Sequence, residues 1–126
     1  MNKPNQADKG RILLVEDSPV ISMTTEDMLT NAGFFVVGPA YDMKQAIDYA
    51  TNEQIDAAIV DLNVRGEKSF EVMAILDERG VPFTILSGYA DWRMPDEYAP
   101  RPRLTKPIDE EKLIETVKLL VEPVTG

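Results

Sequence analysis

The sequence predicts an α/β domain, a doubly wound parallel sheet of five strands in the order 2-1-3-4-5 with helices on both faces. Three observations point there. Short, nearly continuous apolar runs recur along the chain, as in strands buried on both faces. Between them lie stretches whose apolar residues fall at helical spacing. The alternation of strand and helix implies right-handed crossovers and therefore parallel pairing.

The first predicted strand is Arg11 to Val15 (RILLV). Ser18-Pro19 sets an N-cap type residue before a proline suited to the first helical turn. The helix from Val20 to Ala32 places Ile21, Met28, Leu29 and Ala32 on one face, and Gly33 is positioned to end it. Phe34 to Val37 reads as a second strand stopped by Gly38-Pro39. Asp42 caps a second helix with Ala46, Ile47 and Ala50 on one side. Ala57 to Val60 is a third strand ending at Asp61. A loop, Asn63 to Glu67, leads to a helix with Phe70, Met73, Ile75 and Leu76 inward, closed by Gly80. Phe83 to Leu86 is a fourth strand, and Leu104-Thr105 lies in a short fifth one. The last helix starts near Asp109, with Leu113, Ile114, Val117, Leu120 and Val121 as its apolar stripe.

Gly88 to Arg103 breaks the alternation. It holds Pro95, Pro100 and Pro102 together with Tyr89 and Trp92. A proline inside a helix costs ~3 kcal/mol or more, so a degenerate or short fourth helix is expected, with its aromatics available to a partner. The methionines, Met23, Met28 and Met73 among them, read as core filler.

A chain of 126 residues fits one domain, large enough to bury a core without covalent staples. Residues 1–9 are expected to be a disordered polar lead-in without the apolar stretch of a signal peptide, 10–122 the folded domain, and 123–126 a tail. The chain has no cysteine, which excludes disulfides, thiol nucleophiles and zinc-thiolate sites. It has no histidine, which removes the usual general base and the commonest metal ligand. A net charge of −9 disfavours nonspecific contact with nucleic acid or an anionic membrane. No apolar run approaches the ~20 residues of a membrane span, and a cytoplasmic location is expected.

The chemistry sits at strand ends. Glu16 and Asp17 follow the first strand, Asp61 ends the third, Ser87 the fourth, and Lys106-Pro107 the fifth. Ligands of doubly wound sheets bind beyond those ends. Three carboxylates in one place repel unless a cation joins them. An all-oxygen donor set favours Mg2+ or Mn2+ over zinc, and Asn63 can add its backbone carbonyl. Asp61 is then a candidate nucleophile toward phosphorus, with Lys106 and Ser87 contacting the phosphoryl oxygens. Pro107 stiffens the chain beside Lys106. Each piece alone has an ordinary reading as a dipole-complementing pair, a loop residue or a turn; their ordered placement on separate strands favours a site.

ILLVED-S with Pro19, AAIVDLNV, TILSGY and LTKP together resemble the receiver domain of two-component response regulators, over about residues 10 to 122. The resemblance implies the flavodoxin-like receiver fold, Asp61 as phosphoacceptor, and a magnesium ion managed by Glu16, Asp17, Asp61 and the Asn63 carbonyl. It also implies Ser87 and Lys106 as readers of the phosphoryl group. The donor would be a sensor histidine kinase or histidine phosphotransfer protein, and a downstream protein would read the result. The chain would catalyse only its own phosphorylation and dephosphorylation, with no further output domain, acting as shuttle, sink or conformational signal. Arg103 stands where the family often has an aromatic switch, and Asn63-Val64-Arg65-Gly66 replaces the usual Met-Pro loop. Pro82-Phe83 and Gly88-Tyr89 are similar to the signature of the FATGUY receivers, an alphaproteobacterial group often paired with HWE-class kinases. That likeness makes Tyr89 a stand-in for the missing aromatic, in a switch and partner face of Ser87, Gly88, Tyr89, Arg103 and Pro107. Three other readings are a small haloacid-dehalogenase-like phosphatase, a pseudo-receiver that binds without phosphorylation, and a flavodoxin-like cofactor binder. The first expects a second aspartate where Asn63 stands, and the last lacks a glycine-rich phosphate loop.

Overall fold

The computed structural model describes residues 9–88 and 101–122. Seven strands and four helices occur among them: β1 (Arg11–Val15), α1 (Pro19–Asn31), β2 (Phe35–Ala40), α2 (Met43–Asn52), β3 (Ala57–Asp61), β4 (Asn63–Val64), β5 (Glu67–Lys68), α3 (Phe70–Glu78), β6 (Phe83–Ser87), β7 (Arg103–Thr105) and α4 (Glu110–Val121). The main sheet is parallel, in the order β2-β1-β3-β6-β7. With β6 and β7 as the fourth and fifth predicted strands, this is the expected 2-1-3-4-5 arrangement. The chain folds as a doubly wound, flavodoxin-like domain. The expected degenerate fourth helix, Tyr89 and Trp92 lie outside the described residues, as does nearly all of the lead-in.

Strand side chains alternate between two cores. Leu13, Val15, Ala58, Val60, Phe83 and Ile85 pack with α2 and α3 on one face. Ile12, Leu14, Ala57, Ile59, Leu86 and Leu104 pack with Leu29, Leu113 and Val117 on the other. No helix among the described residues is long and apolar enough to cross a membrane.

The helix starts follow the sequence closely. Ser18 Oγ accepts from the Ile21 N–H, Asp42 Oδ1 from Gln45 and Asp109 Oδ2 from Lys112. Each satisfies a backbone donor left over at a helix start.

Three elements differ from expectation. Gly38-Pro39 does not end the second strand. Leu13 pairs with Val37 and Val15 with Ala40, so β2 carries one extra residue there, a bulge, and continues to Ala40. Pro39 is tolerated because β2 is an edge strand. On α1, the buried face is Ser22, Thr25 and Leu29, with Ile21, Met28 and Ala32 only half-buried. The two hydroxyls can be buried because they donate back to the Pro19 and Ile21 carbonyls. Met23 is 62% exposed, not core filler. Finally, the loop after Asp61 is a two-residue hairpin, β4–β5, with Arg65 at φ 50 and Gly66 at φ 82. Paired positive φ values are what such a tight hairpin turn requires. Val64 is fully buried and anchors it.

Candidate functional site

Sheet register gathers the site. In β1 and β3, Ile12 lies opposite Ala57, Leu14 opposite Ile59 and Val15 opposite Val60. One step further, Glu16 falls beside Asp61. Asp61 lies opposite Leu86, the residue before Ser87, and Ser87 lies opposite Thr105, the residue before Lys106. A slip of one residue in any strand would turn its functional side chain to the other face. The β2 bulge also contributes, since it brings the Ala40 carbonyl to accept from the Glu16 N–H at 3.0 Å.

Asp61 is 3% exposed. Its Oδ2 accepts from Lys106 Nζ at 2.9 Å and its Oδ1 from the Asn63 N–H at 3.1 Å. Its backbone carbonyl accepts from Ser69 Oγ. Ser69 is fully buried and spends its hydroxyl on β3, leaving α3 without a side-chain cap. Lys106 Nζ also lies 3.2 Å from Glu16 Oε1 and donates to Oε2 at 3.3 Å. The Lys106 N–H donates to the Ser87 carbonyl at 2.9 Å, which locks β7 to β6 beside the acid. Ser87 is 3% exposed at the tip of β6.

Glu16 is fully buried. Oε2 accepts from the Ser18 N–H at 3.1 Å, while Oε1 makes no hydrogen bond despite its closeness to the ammonium. Burial, followed by the charge of Asp61, pushes this carboxyl up to about 7; the Ser18 N–H and Lys106 oppose the rise. Burial works to lower the Lys106 pKa, but its hydrogen bond to Asp61 and the charges of Asp61 and Glu16 outweigh that and raise it. Asp17, half-buried, accepts at Oδ2 from the Arg65 N–H at 2.7 Å.

Glu16, Asp17 and Asp61 each offer an oxygen within 4.8 Å of the others. An unsatisfied buried oxygen on Glu16, an all-oxygen set and more negative than positive charge fit a hard divalent cation. Glu16, Asp17, Asn63, Asp61, Ser87, Lys106 and Pro107 thus converge at one end of the sheet. Lys106-Pro107 is a cis peptide. Gly88 is exposed next to Ser87. Arg103 is on β7, three residues before Lys106 and opposite Ile85, and is exposed. Tyr89 is outside the described residues.

Sequence reading missed two contributors. Ser69 stands where an N-cap is normal, so its bond to β3 has no sequence signature. Arg65-Gly66 lacks the Asn-Gly or Asp-Gly pattern that announces a tight hairpin.

Residues 12–118 match the family of the response regulator receiver domain. The chain is 25% identical over 115 residues to the transcriptional regulatory protein PdtaR of Mycobacterium tuberculosis, covering 88% of this chain and 56% of that protein. It therefore spans about half the length of this curated relative. Among solved structures, SdrG from Sphingomonas melonis Fr1 is 35% identical with a TM-score of 0.78, covering 88% of this chain and 95% of that one. A CheY-like receiver domain protein from Methanospirillum hungatei JF-1 is 25% identical with a TM-score of 0.76, covering 90% and 94%.

Proposed function

The chain belongs to the response regulator receiver domain family, and on that premise we propose that Asp61 accepts a phosphoryl group from a phosphohistidine of a partner protein, with magnesium, and that the change is read by a further protein. The observation that carries this reading is the 2.9 Å contact of Lys106 Nζ with Asp61 Oδ2 among three clustered carboxylates.

An Asp61 oxygen attacks phosphorus. The new O–P bond forms as the N–P bond to the donor imidazole breaks, and the electron pair leaves with the imidazole nitrogen, which takes up a proton. Lys106 stays protonated, as its raised pKa ensures, and offsets charge on a phosphoryl oxygen. Asp17, Asp61, Glu16 and the Asn63 carbonyl would hold magnesium, or manganese in its place, which would supply further charge neutralisation on the phosphoryl oxygens. The Ser87 hydroxyl donates to the phosphoryl group. Its approach, with that of Lys106, shifts the population of the face running from Ser87 toward Arg103 and Pro107. Attack by water on phosphorus later releases phosphate and restores the carboxylate.

These 126 residues contain no histidine, so the phosphohistidine lies outside this sequence, on a sensor histidine kinase or a histidine phosphotransfer protein. An apolar groove of about 210 Å³ beside Lys106, lined by Val20, Ile21, Met28, Pro107 and Ile108 among others, is the surface we assign to the docking of that partner. A haloacid-dehalogenase-like phosphatase would need an acid/base carboxylate where Asn63 stands.

Intact mass after incubation with a small phosphodonor and Mg2+ tests the reading. One labile phosphoryl adduct is expected, lost in Asp61→Asn. Steady turnover of phosphate esters would favour the phosphatase, and no adduct at all would overturn phosphoryl acceptance.

A further inference from the structure

We propose that Arg65, in the β4–β5 turn, is a positioning residue for the magnesium ligand Asp17, because its backbone N–H donates to Asp17 Oδ2 at 2.7 Å while its side-chain Nε donates to the Tyr41 carbonyl at 3.0 Å. This rests on the metal-binding receiver reading above.

Asp17 depends on this contact more than its neighbours do on theirs. Glu16 is held by Ser18 and Lys106, and Asp61 by Asn63 and Lys106. Among the described residues, the side chain of Asp17 accepts its hydrogen bond from the Arg65 amide. That amide is in turn held by the turn, and the turn is tied down through Nε. The far anchor is itself hydrogen-bonded into the start of α2. The Tyr41 N–H donates to Gln45 Oε1 at 2.9 Å, while the Gln45 N–H donates to Asp42 Oδ1 at 2.8 Å, so the start of α2 fixes the peptide that receives Arg65. Arg65 holds φ 50, a conformation that glycine or asparagine adopts more cheaply. An arginine there is explained by what its side chain reaches.

Charge and positioning predict opposite signs. As a cation on the turn that contacts Asp17, Arg65 opposes magnesium, and its removal by itself would tighten binding. As the strut that aims Asp17, its removal weakens binding. Outer residues that orient metal ligands are worth about tenfold or more in affinity.

The test is calorimetric titration of Mg2+ into the full chain and into Arg65→Ala and Arg65→Gln. Alanine adopts φ 50 no more readily than arginine, so the turn's own preference is unchanged. Glutamine puts an uncharged N–H donor at the chain position of Nε. The alanine variant is expected to bind Mg2+ about tenfold more weakly, with faster hydrogen exchange at the residue-65 amide. The glutamine variant is expected to bind at least as tightly as the parent. Equal or tighter binding by the alanine variant would overturn the positioning role; weakening of both variants alike would overturn the Nε anchor. If the alanine variant fails to fold by circular dichroism, Arg65→Met, which keeps the chain length but has no donor at the position of Nε, takes its place: weaker Mg2+ binding than the parent supports the positioning role, and equal or tighter binding overturns it. Absence of Mg2+ binding by the parent chain would instead strike the metal reading on which the proposal stands.

Discussion

Glu16 is the residue whose state decides how the site behaves without a cation. Its carboxyl is buried, one oxygen lacks a hydrogen bond, and its pKa rises from 4.5 to about 7. Folding then favours the protonated form. The stabilisation from this group is complete below pH 4.5, the unfolded value, and is lost as pH rises through about 7. The loss amounts to on the order of 3 kcal/mol. In urea titrations with a chelator at pH 5 and pH 8, Glu16→Gln should therefore gain stability relative to the parent as pH rises. Parallel pH dependences in the two proteins would show that Glu16 does not titrate there. At neutral pH the same group can exchange its proton for a cation, which links metal loading to the fold.

At the scale of elements, the β2 bulge, the polar face of α1 and the β4–β5 hairpin are where local sequence preference gave way. The bulge depends on Gly38. It holds φ +105, and a Cβ there would lie 2.8 Å from the Ala40 nitrogen and 3.0 Å from the Leu14 carbonyl oxygen. Backbone atoms cannot step aside as a side-chain tip can. Gly38→Ala should cost about 3 kcal/mol from strain and overpacking together. The urea midpoint would fall while the m-value holds, and an unchanged midpoint would mean the bulge relaxes freely. Because Ala40 accepts from the Glu16 N–H, the same variant should also disturb the acidic site.

The whole molecule works by register. Parallel pairing brings Glu16 beside Asp61 and Lys106 beside Ser87, although 90 positions separate Glu16 from Lys106. The groove next to Lys106 is lined on its α1 side by Val20, which is 73% exposed, and by Ile21, Thr24, Thr25 and Met28. If the phosphohistidine-bearing partner docks there, Val20→Glu should slow phosphotransfer from that partner about tenfold, the effect of losing a modest interface anchor. Labelling by a small phosphodonor should not change. Equal slowing with both donors would place the defect in the site and not in docking.

The five-strand alternation, the caps at Ser18, Asp42 and Asp109, and the strand-end positions of Glu16, Asp17, Asp61, Ser87 and Lys106 are all readable in the order of residues. These are legible because burial on both faces demands apolar runs, and because an N-cap is read from its own few neighbours. That Gly38-Pro39 extends β2, that Ser22 and Thr25 face inward while Met23 faces out, and that Arg65 reaches Asp17 and Tyr41 was settled by packing in three dimensions. Those outcomes depend on partners distant in the chain: an edge position in the sheet, a neighbouring layer, a carbonyl 24 residues away. Local periodicity carries no information about such partners, since their contact energies exist only once the layers have packed.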